Sequence, residues 1–315
     1  MNFLKCSVST QTFTVKTNIQ NIDLNKFFQT IIPEEKDINF EERKKIKDEN
    51  EWLKLEGIIV HVKYQHMKKG NWFEKIKDEK KKKKKNNEIP ISKKNFLNCI
   101  TMIICTNKFI NIKFFKNGVL QLTGCKHINH VIVCLTTIYK ELIKSKDFFI
   151  FEKEGEKDIV FFIKSVMRNI DFDLGYKINR VAFSQKFVQL CEKLENVIVP
   201  DNPGNKMDVR IKIRMTPEEI EQLPIIKFTF PSQKIEKLKY KDCIDIIEHD
   251  RKKLQSKIKD KFISIFVFQN GKVLLSASDE IIQEKYFEWF INLIGQIEND
   301  IKPPKITKKT FLFCN

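Results

Sequence analysis

The sequence predicts an α+β fold in which one antiparallel module occurs twice. Three observations carry that reading. First, Lys108–Gly118 (KFINIKFFKNG) returns as Lys261–Gly271 (KFISIFVFQNG) at an offset of 153, with seven of eleven residues identical. A fixed offset of this kind marks a duplicated architecture. Second, both copies alternate with a period of two, as a strand with two unlike faces does. Ile110, Ile112 and Phe114 line one face of the first copy, as Ile263, Ile265 and Val267 do in the second. The opposite face carries Phe109, Asn111, Lys113 and Phe115, matched by Phe262, Ser264, Phe266 and Phe268. Third, each copy is followed by Asn-Gly, a second strand (Val119–Thr123, Lys272–Ser276) and a helical stripe. The stripes are Ile128, Val131, Leu135, Ile138, Leu142 and Ile282, Tyr286, Trp289, Leu293. Asn-Gly between alternating runs predicts a type I′ hairpin, with positive φ at both central residues.

Taken in order, Ser7–Thr17 alternates and is rich in Thr and Val, so it predicts a strand. Asp23–Ile32 predicts a short helix capped by Asp23 or Asn25. Gly57–Tyr64 and Phe96–Cys105 read as strands. Between them, the lysine block Lys80–Lys85 repels itself and predicts a solvated loop. In the second half Phe161–Asn169, Asp208–Met215 and Ile225–Phe230 read as strands, and Val181–Leu194 as a helix. Lys234–Lys259 reads as a charged helical insertion. The organisation is a first repeat at 1–150 with an insertion at about 71–94, a second at 151–302 with an insertion at about 234–259, and a tail at 303–315.

Composition narrows the function. The chain has 315 residues, 42% hydrophobic, with 27 Phe, enough for a sizeable core. No apolar run reaches the roughly 18 residues of a membrane-spanning helix, and no secretory signal is visible, so an intracellular protein is expected. The eight Cys include no Cys-x-x-Cys pair, and Cys99, Cys105, Cys134 and Cys191 lie in apolar runs, as buried thiols do. A net charge of +17 points to a polyanionic partner, nucleic acid first. The basic residues are 52 Lys and only 6 Arg.

Catalytic constellations are missing from the pattern. The 9 Gly do not cluster into a phosphate-cradling loop. Cys125, His127 and His130 are spaced like metal ligands but have no evident fourth partner, and they read as helix-start residues. No cofactor or metal is expected. The informative feature is the second face of the repeat, where aromatics stand beside Asn111, Lys113, Gln121, Thr123 and Ser264. A dry core does not tolerate such groups unpaired, whereas nucleic acid meets both rings and cations.

Phe115-Lys-Asn-Gly-Val-Leu-Gln-Leu-Thr-Gly-Cys-Lys126 resembles the Phe-x-x-Gly-Lys-hydrophobic-hydrophobic-x-Thr-Gly-x-Lys signature of the TATA-box-binding protein family. Phe268-Gln-Asn-Gly-Lys-Val-Leu-Leu-Ser276 is its second-repeat counterpart, and Val8-Ser9-Thr10 resembles the opening strand. The divergent form is most similar to the TATA-binding-protein-like factors of large nucleocytoplasmic DNA viruses. The resemblance implies a duplicated saddle, a curved antiparallel sheet with helices on its convex side. It also implies a non-enzymatic transcription-initiation factor that binds and bends the minor groove of AT-rich promoter DNA. RNA polymerase and a transcription factor IIB-like protein are the implied partners. The implied location is the host nucleus or a cytoplasmic viral factory, with the virion as a further destination.

By the same resemblance, Phe115 and Phe268 are wedges into base steps, and Phe96 is the nearest counterpart of a second wedge in the first half. Thr123 and Ser276 take the strand-four threonine role. Phe109, Lys113, Gln121, Phe262 and Phe266 complete the expected DNA-binding face. The family's two minor-groove asparagines align near Cys6 and Ser165, and Gln121 and Lys113 stand at hydrophobic family positions. These departures keep two other readings open: a scaffold that retains the fold without DNA binding, and a single-stranded nucleic-acid or RNA module.

Overall fold

The computed structural model describes residues 2–34, 56–70, 98–144, 146–192, 194–199, 208–247 and 261–303. The Lys80–Lys85 block, Phe96 and nearly all of the tail lie outside the described residues. The architecture is α+β with antiparallel strands, and the strand–turn–strand–helix module occurs twice. Strands β1 (Ser7–Thr17), β2 (Ile19–Ile22), β3 (Ile59–Tyr64), β4 (Met67–Lys69), β5 (Cys99–Cys105), β6 (Phe109–Phe115), β7 (Val119–Cys125) and β8 (Phe149–Phe151) belong to the first half. With them come α1 (Leu24–Thr30) and α2 (Ile128–Leu142). The second half carries β9 (Ile159–Asp173), α3 (Arg180–Cys191), β10 (Val197–Ile198), β11 (Asp208–Arg214), α4 (Pro217–Glu221), β12 (Pro224–Phe230) and β13 (Lys234–Lys239). It ends with α5 (Tyr240–Ile247), β14 (Phe262–Phe268), β15 (Lys272–Ala277) and α6 (Glu280–Ile301).

Two compact units form, and they interleave along the sequence. The first is Thr10–Met167 with Glu221–His249; the second is Met1–Ser9, Arg168–Ile220 and Asp250–Asn315. The repeat boundaries expected at 1–150 and 151–302 therefore do not coincide with the compact units. In the first unit the strand order is β1-β7-β6-β5-β3-β4. One face of that sheet buries Val15, Ile112, Phe114, Leu120 and Leu122 against Val131, Leu135, Ile138 and Leu142 of α2. In the second unit the order is β10-β11-β14-β15, with the Arg168–Asp173 part of β9 beyond β15. Its core face is Val209, Ile211, Ile213, Ile263, Ile265 and Val267, and α6 buries Ile282, Tyr286, Phe287, Phe290 and Ile294. The α6 stripe is wider than predicted and runs through Phe290 and Ile294, while Trp289 and Leu293 are only half-buried.

The two copies share their contacts as well as their sequence. Ile22 N–H donates to Lys116 O, and Ile178 N–H to Gln269 O, both at 2.9 Å. Asp23 caps α1 through Oδ1, as Asn179 caps α3. Asp23 N–H donates to Phe148 O at 2.7 Å and Asn179 N–H to Ile301 O at 2.8 Å. Lys116 and Gln269, like Phe148 and Ile301, stand 153 residues apart.

Two sequence expectations need correction. The turns are not type I′, because positive φ falls only on Gly118 (72°) and Gly271 (88°) and not on the asparagines. Gly118 N–H donates to Phe115 O at 3.1 Å and Gly271 N–H to Phe268 O at 3.0 Å. Each is a three-residue loop, a turn followed by a left-handed glycine. Asn117 and Asn270 act through their side chains, accepting from Val119 N–H (3.4 Å) and Lys272 N–H (3.2 Å). The second correction concerns 234–259, where the described part opens with a strand. β13 pairs with β12, which pairs in turn with Ile159–Lys164 of β9. Four charges of Lys234–Lys239 surround Ile235 and Leu238, as edge strands allow, and among the described residues of the insertion only Tyr240–Ile247 is helical.

A Cβ on Gly118 would lie 2.3 Å from Ile19 O, and one on Gly271 would lie 2.1 Å from Tyr176 O. Gly155 also has positive φ (82°), with nothing within 4 Å of its would-be Cβ. Gly118→Ala and Gly271→Ala should each destabilise their unit by about 3 kcal/mol, from strain plus displaced backbone. Gly155→Ala should cost about 1 kcal/mol, from strain alone. Chemical denaturation of the three variants checks this; equal losses would refute the close-approach account.

Candidate nucleic-acid interface

The face opposite the core differs in kind from the core face. In the second unit β14 turns Phe262, Ser264, Phe266 and Phe268 outward, all half-buried. The neighbouring β11 turns out Arg210, Lys212 and Arg214, all exposed. Register sets Arg210 opposite Phe266, Lys212 opposite Ser264 and Arg214 opposite Phe262. The Arg210 guanidinium carbon stands 4.5 Å from the Phe266 ring centre. Lys212 Nζ and the Arg214 guanidinium lie 5.6 and 5.7 Å from the Phe262 ring. Rings under cations in this way hold extended side chains in place and leave their charge available to an anion.

Across the second sheet the outward residues form rows. One row is Arg210–Phe266–Leu274–Asp171 and another is Lys212–Ser264–Ser276–Asn169. The β11 side is cationic on balance, with Asp208 Oδ2 4.0 Å from Arg210 Nε, whereas Asp171 and Asp173, both exposed, make the β9 side anionic. In the first unit the matching rows are Lys63–Thr101–Lys113–Gln121–Thr14 and His61–Ile103–Asn111–Thr123–Thr12. Here the cation Lys113 sits mid-sheet and neither row carries a carboxylate.

The structure brings most of the predicted residues together within each unit. Lys113, Phe115, Gln121 and Thr123 share the outward face of β6 and β7, and Phe262, Phe266, Phe268 and Ser276 that of β14 and β15. Phe115, across from Cys99, and Phe268, across from Asp208, each end a strand and are half-buried. Thr123 Oγ1 donates to Asn111 O at 3.4 Å. Phe109 is the exception, because it packs on a small apolar cluster of Val60, Ile103 and Cys105 and serves first to cover it. Phe96 lies outside the described residues. The cation row was missed in the sequence. Its signal was the period-two placement of cations in DVRIKIR, which uses two of only six Arg.

The Cys125–His130 group behaves as a helix start. His127 precedes α2, and the His127 and His130 rings lie 3.8 Å apart. His130 Nδ1 accepts from Lys126 N–H at 3.2 Å. Burial pushes the Cys125 thiol up to about 12, as for an apolar buried thiol. Among the described residues no group of three His, Cys, Asp or Glu is placed to hold a metal ion.

No family model matches the chain. Over 209 residues it is 28% identical to "Uncharacterized protein 335L" of Invertebrate iridescent virus 6, covering 62% of this chain and 59% of that protein. Over 100 residues it is 41% identical to a "TATA-box-binding protein-like" protein of Acanthamoeba polyphaga mimivirus, covering 28% of this chain and 27% of that protein. The chain thus spans less than two thirds of the curated relatives it matches. Among solved structures, a Methanococcus jannaschii TBP aligns with 92% of this chain and 98% of its own, at 12% identity and TM-score 0.42. The resemblance to a viral TATA-box-binding-protein-like chain stands on the mimivirus match.

Two measurements probe the interface and its support. Phe114 points into the core and is 0% exposed, while Phe115 beside it is half-buried. Phe114→Ala should cost about 3–5 kcal/mol, whereas Phe115→Ala and Phe268→Ala should cost about 1–2 kcal/mol each. Losses at Phe115 and Phe268 as large as at Phe114 would make them core residues.

His130 is 3% exposed, and burial first, then the neighbouring His127 and lysines, lowers its pKa from 6.5 to about 4. The unfolded chain therefore takes up this proton more readily than the folded one. Stability from His130 is complete above about pH 6.5 and falls by up to about 3 kcal/mol as pH drops through 4. His130→Gln should remove that part of the slope; urea midpoints from pH 7 to 4 that fall alike in both proteins would refute it.

Proposed function

We propose that the chain is a non-enzymatic, DNA-binding transcription-initiation factor that engages the minor groove of AT-rich promoter DNA. The observation that carries this reading is the β11–β14 face, where Arg210, Lys212 and Arg214 alternate with core residues and lean on Phe262 and Phe266. The cations neutralise phosphates and release condensed counterions, which supplies sequence-independent affinity. Half-buried Phe115 and Phe268, each at a strand end before a tight turn, are the residues suited to enter a base step. Unstacking a step costs a few kcal/mol and is repaid by the surface that bent DNA covers; this kinking mechanism is carried over from the TATA-box-binding proteins. Lys113, Gln121 and Thr123 of the first unit offer donors to base edges and phosphates. The helices on the core side of each sheet, α2 and α6, would take RNA polymerase and a transcription factor IIB-like partner. Exposed Ile281 (74%) on α6 supports an outward contact there.

Asp171 and Asp173 favour a second reading. Exposed carboxylates on the interface face repel phosphate, as a scaffold that no longer binds DNA would allow. Fluorescence titrations of AT-rich duplex, GC-rich duplex and single strand separate the readings. The AT-rich duplex should bind best, with a log–log salt slope of roughly −4 to −7. Replacing Arg210, Lys212 and Arg214 together by Ala should reduce that slope by about 2–3. Phe115→Ala with Phe268→Ala should reduce bending, read by end-to-end energy transfer. No binding at low salt would leave the scaffold reading, and preference for single strand would leave a single-stranded module.

A further inference from the structure

The second repeat contains an element the first lacks. In the first repeat β5 joins β6 through residues 106–108, whereas in the second β11 joins β14 through residues 215–261. That connection supplies β12 and β13, both part of the first unit. Among the described residues β13 pairs with β12 alone, and no described strand covers its other edge.

The parity of this edge follows from one contact. Tyr240 N–H donates to Leu223 O at 2.8 Å, continuing the register that sets Pro224 opposite Lys239. Residues of an antiparallel strand turn both backbone groups to alternate sides. Lys234, Glu236 and Leu238 therefore face β12, and Ile235, Lys237 and Lys239 turn N–H and C=O to the open side. All three of these residues are exposed, Ile235 at 54%.

The charge on this strand selects an occupant. The one carboxylate, Glu236, is held by Lys227 and Lys234 at 3.0 Å each. Lys237 and Lys239 flank the outward backbone. A second copy pairing edge to edge would bring lysine against lysine, the usual guard against self-association. An extended acidic segment meets the open backbone and the cations together. We infer that the outer edge of β13 docks an extended acidic segment of a partner protein, which adds as a further strand with its side chains beside Ile235, Lys237 and Lys239. This uses none of the residues of the DNA reading and stands whether or not the chain binds DNA.

The test uses the full chain and a labelled eight-residue peptide of alternating Glu and Val, followed by fluorescence anisotropy. Lys237→Ala removes the charge and keeps the outward N–H. Lys237→Pro also removes that N–H, while the ladder to β12 uses the other parity. Saturable binding is expected, weaker by about tenfold in Lys237→Pro than in Lys237→Ala, the worth of one backbone hydrogen bond. In the wild-type chain the peptide should slow amide exchange at Ile235, Lys237 and Lys239. No saturable binding, or equal binding by the two variants without slowed exchange, overturns the inference. So does a Lys237→Glu change that weakens duplex DNA and leaves the peptide untouched, because β13 would then be a phosphate contact.

Discussion

Each unit depends on a glycine that lets two backbones meet. Gly118 O accepts from Thr17 N–H at 3.3 Å and Gly271 O accepts from Leu174 N–H at 3.0 Å. The segment leaving that contact, a strand in the first unit and irregular in the second, goes straight on to the cap of the next helix, Asp23 in one unit and Asn179 in the other. The cap's own N–H then reaches the chain after the long helix in the first unit, Phe148, and the end of that helix in the second, Ile301. Turn, connecting segment, short helix and long helix are thereby fixed by a handful of backbone bonds. Only glycine permits both the left-handed φ and the close approach. This explains why Asn-Gly persists in both copies where four of the eleven repeat residues have changed.

With the core face and the turn constrained, the outward face was free to diverge. Lys113 in the first copy is matched by Phe266 in the second, and Gln121 by Leu274. The strands beside them differ as well, with Thr14 in one row where Asp171 stands in the other. All these residues sit at half-buried or exposed positions, where substitution costs little stability. The result is two faces of common geometry and unlike charge, one with a central lysine and one with a cationic strand opposite an acidic one. Such unlike faces cannot meet a polyanion in the same way.

Much of this was legible in the residues. Period two assigned the faces of β6 and β14 correctly, because Ile and Val every second residue leave no other way to bury them. The helix after each hairpin was legible for the same reason, with the α6 stripe set too narrow. The turn type was misread because Asn-Gly fits two hairpin geometries, and only the loop's additional first residue, Lys116 or Gln269, separates them. The cation row was overlooked because it depends on register: Arg210 gains its meaning from Phe266, 56 positions away. Phe109 was read from its strand alone, without the Val60–Cys105 cluster that reaches it from two other strands.

The insertion shows how a local pattern can commit a distant segment. Ile159–Lys164 is covered on both faces, and Ile159, Phe161, Phe162, Ile163 and Lys164 are all buried. A run of this kind needs cover on two sides, unlike the alternating strands of the repeat. Residues 221–247 supply it. Phe228 and Phe230 of β12 join Phe161 in the main core, and Tyr139 of α2 stacks on Phe230 with ring centres 4.3 Å apart. On the other face Tyr240 receives Lys164 Nζ 3.5 Å from its ring centre, which shields the buried amine. The hairpin thus joins the first unit, although it is encoded within the second repeat. Its placement follows from the need of six residues for a second covered face, and β13 is left as the outermost strand of the hairpin.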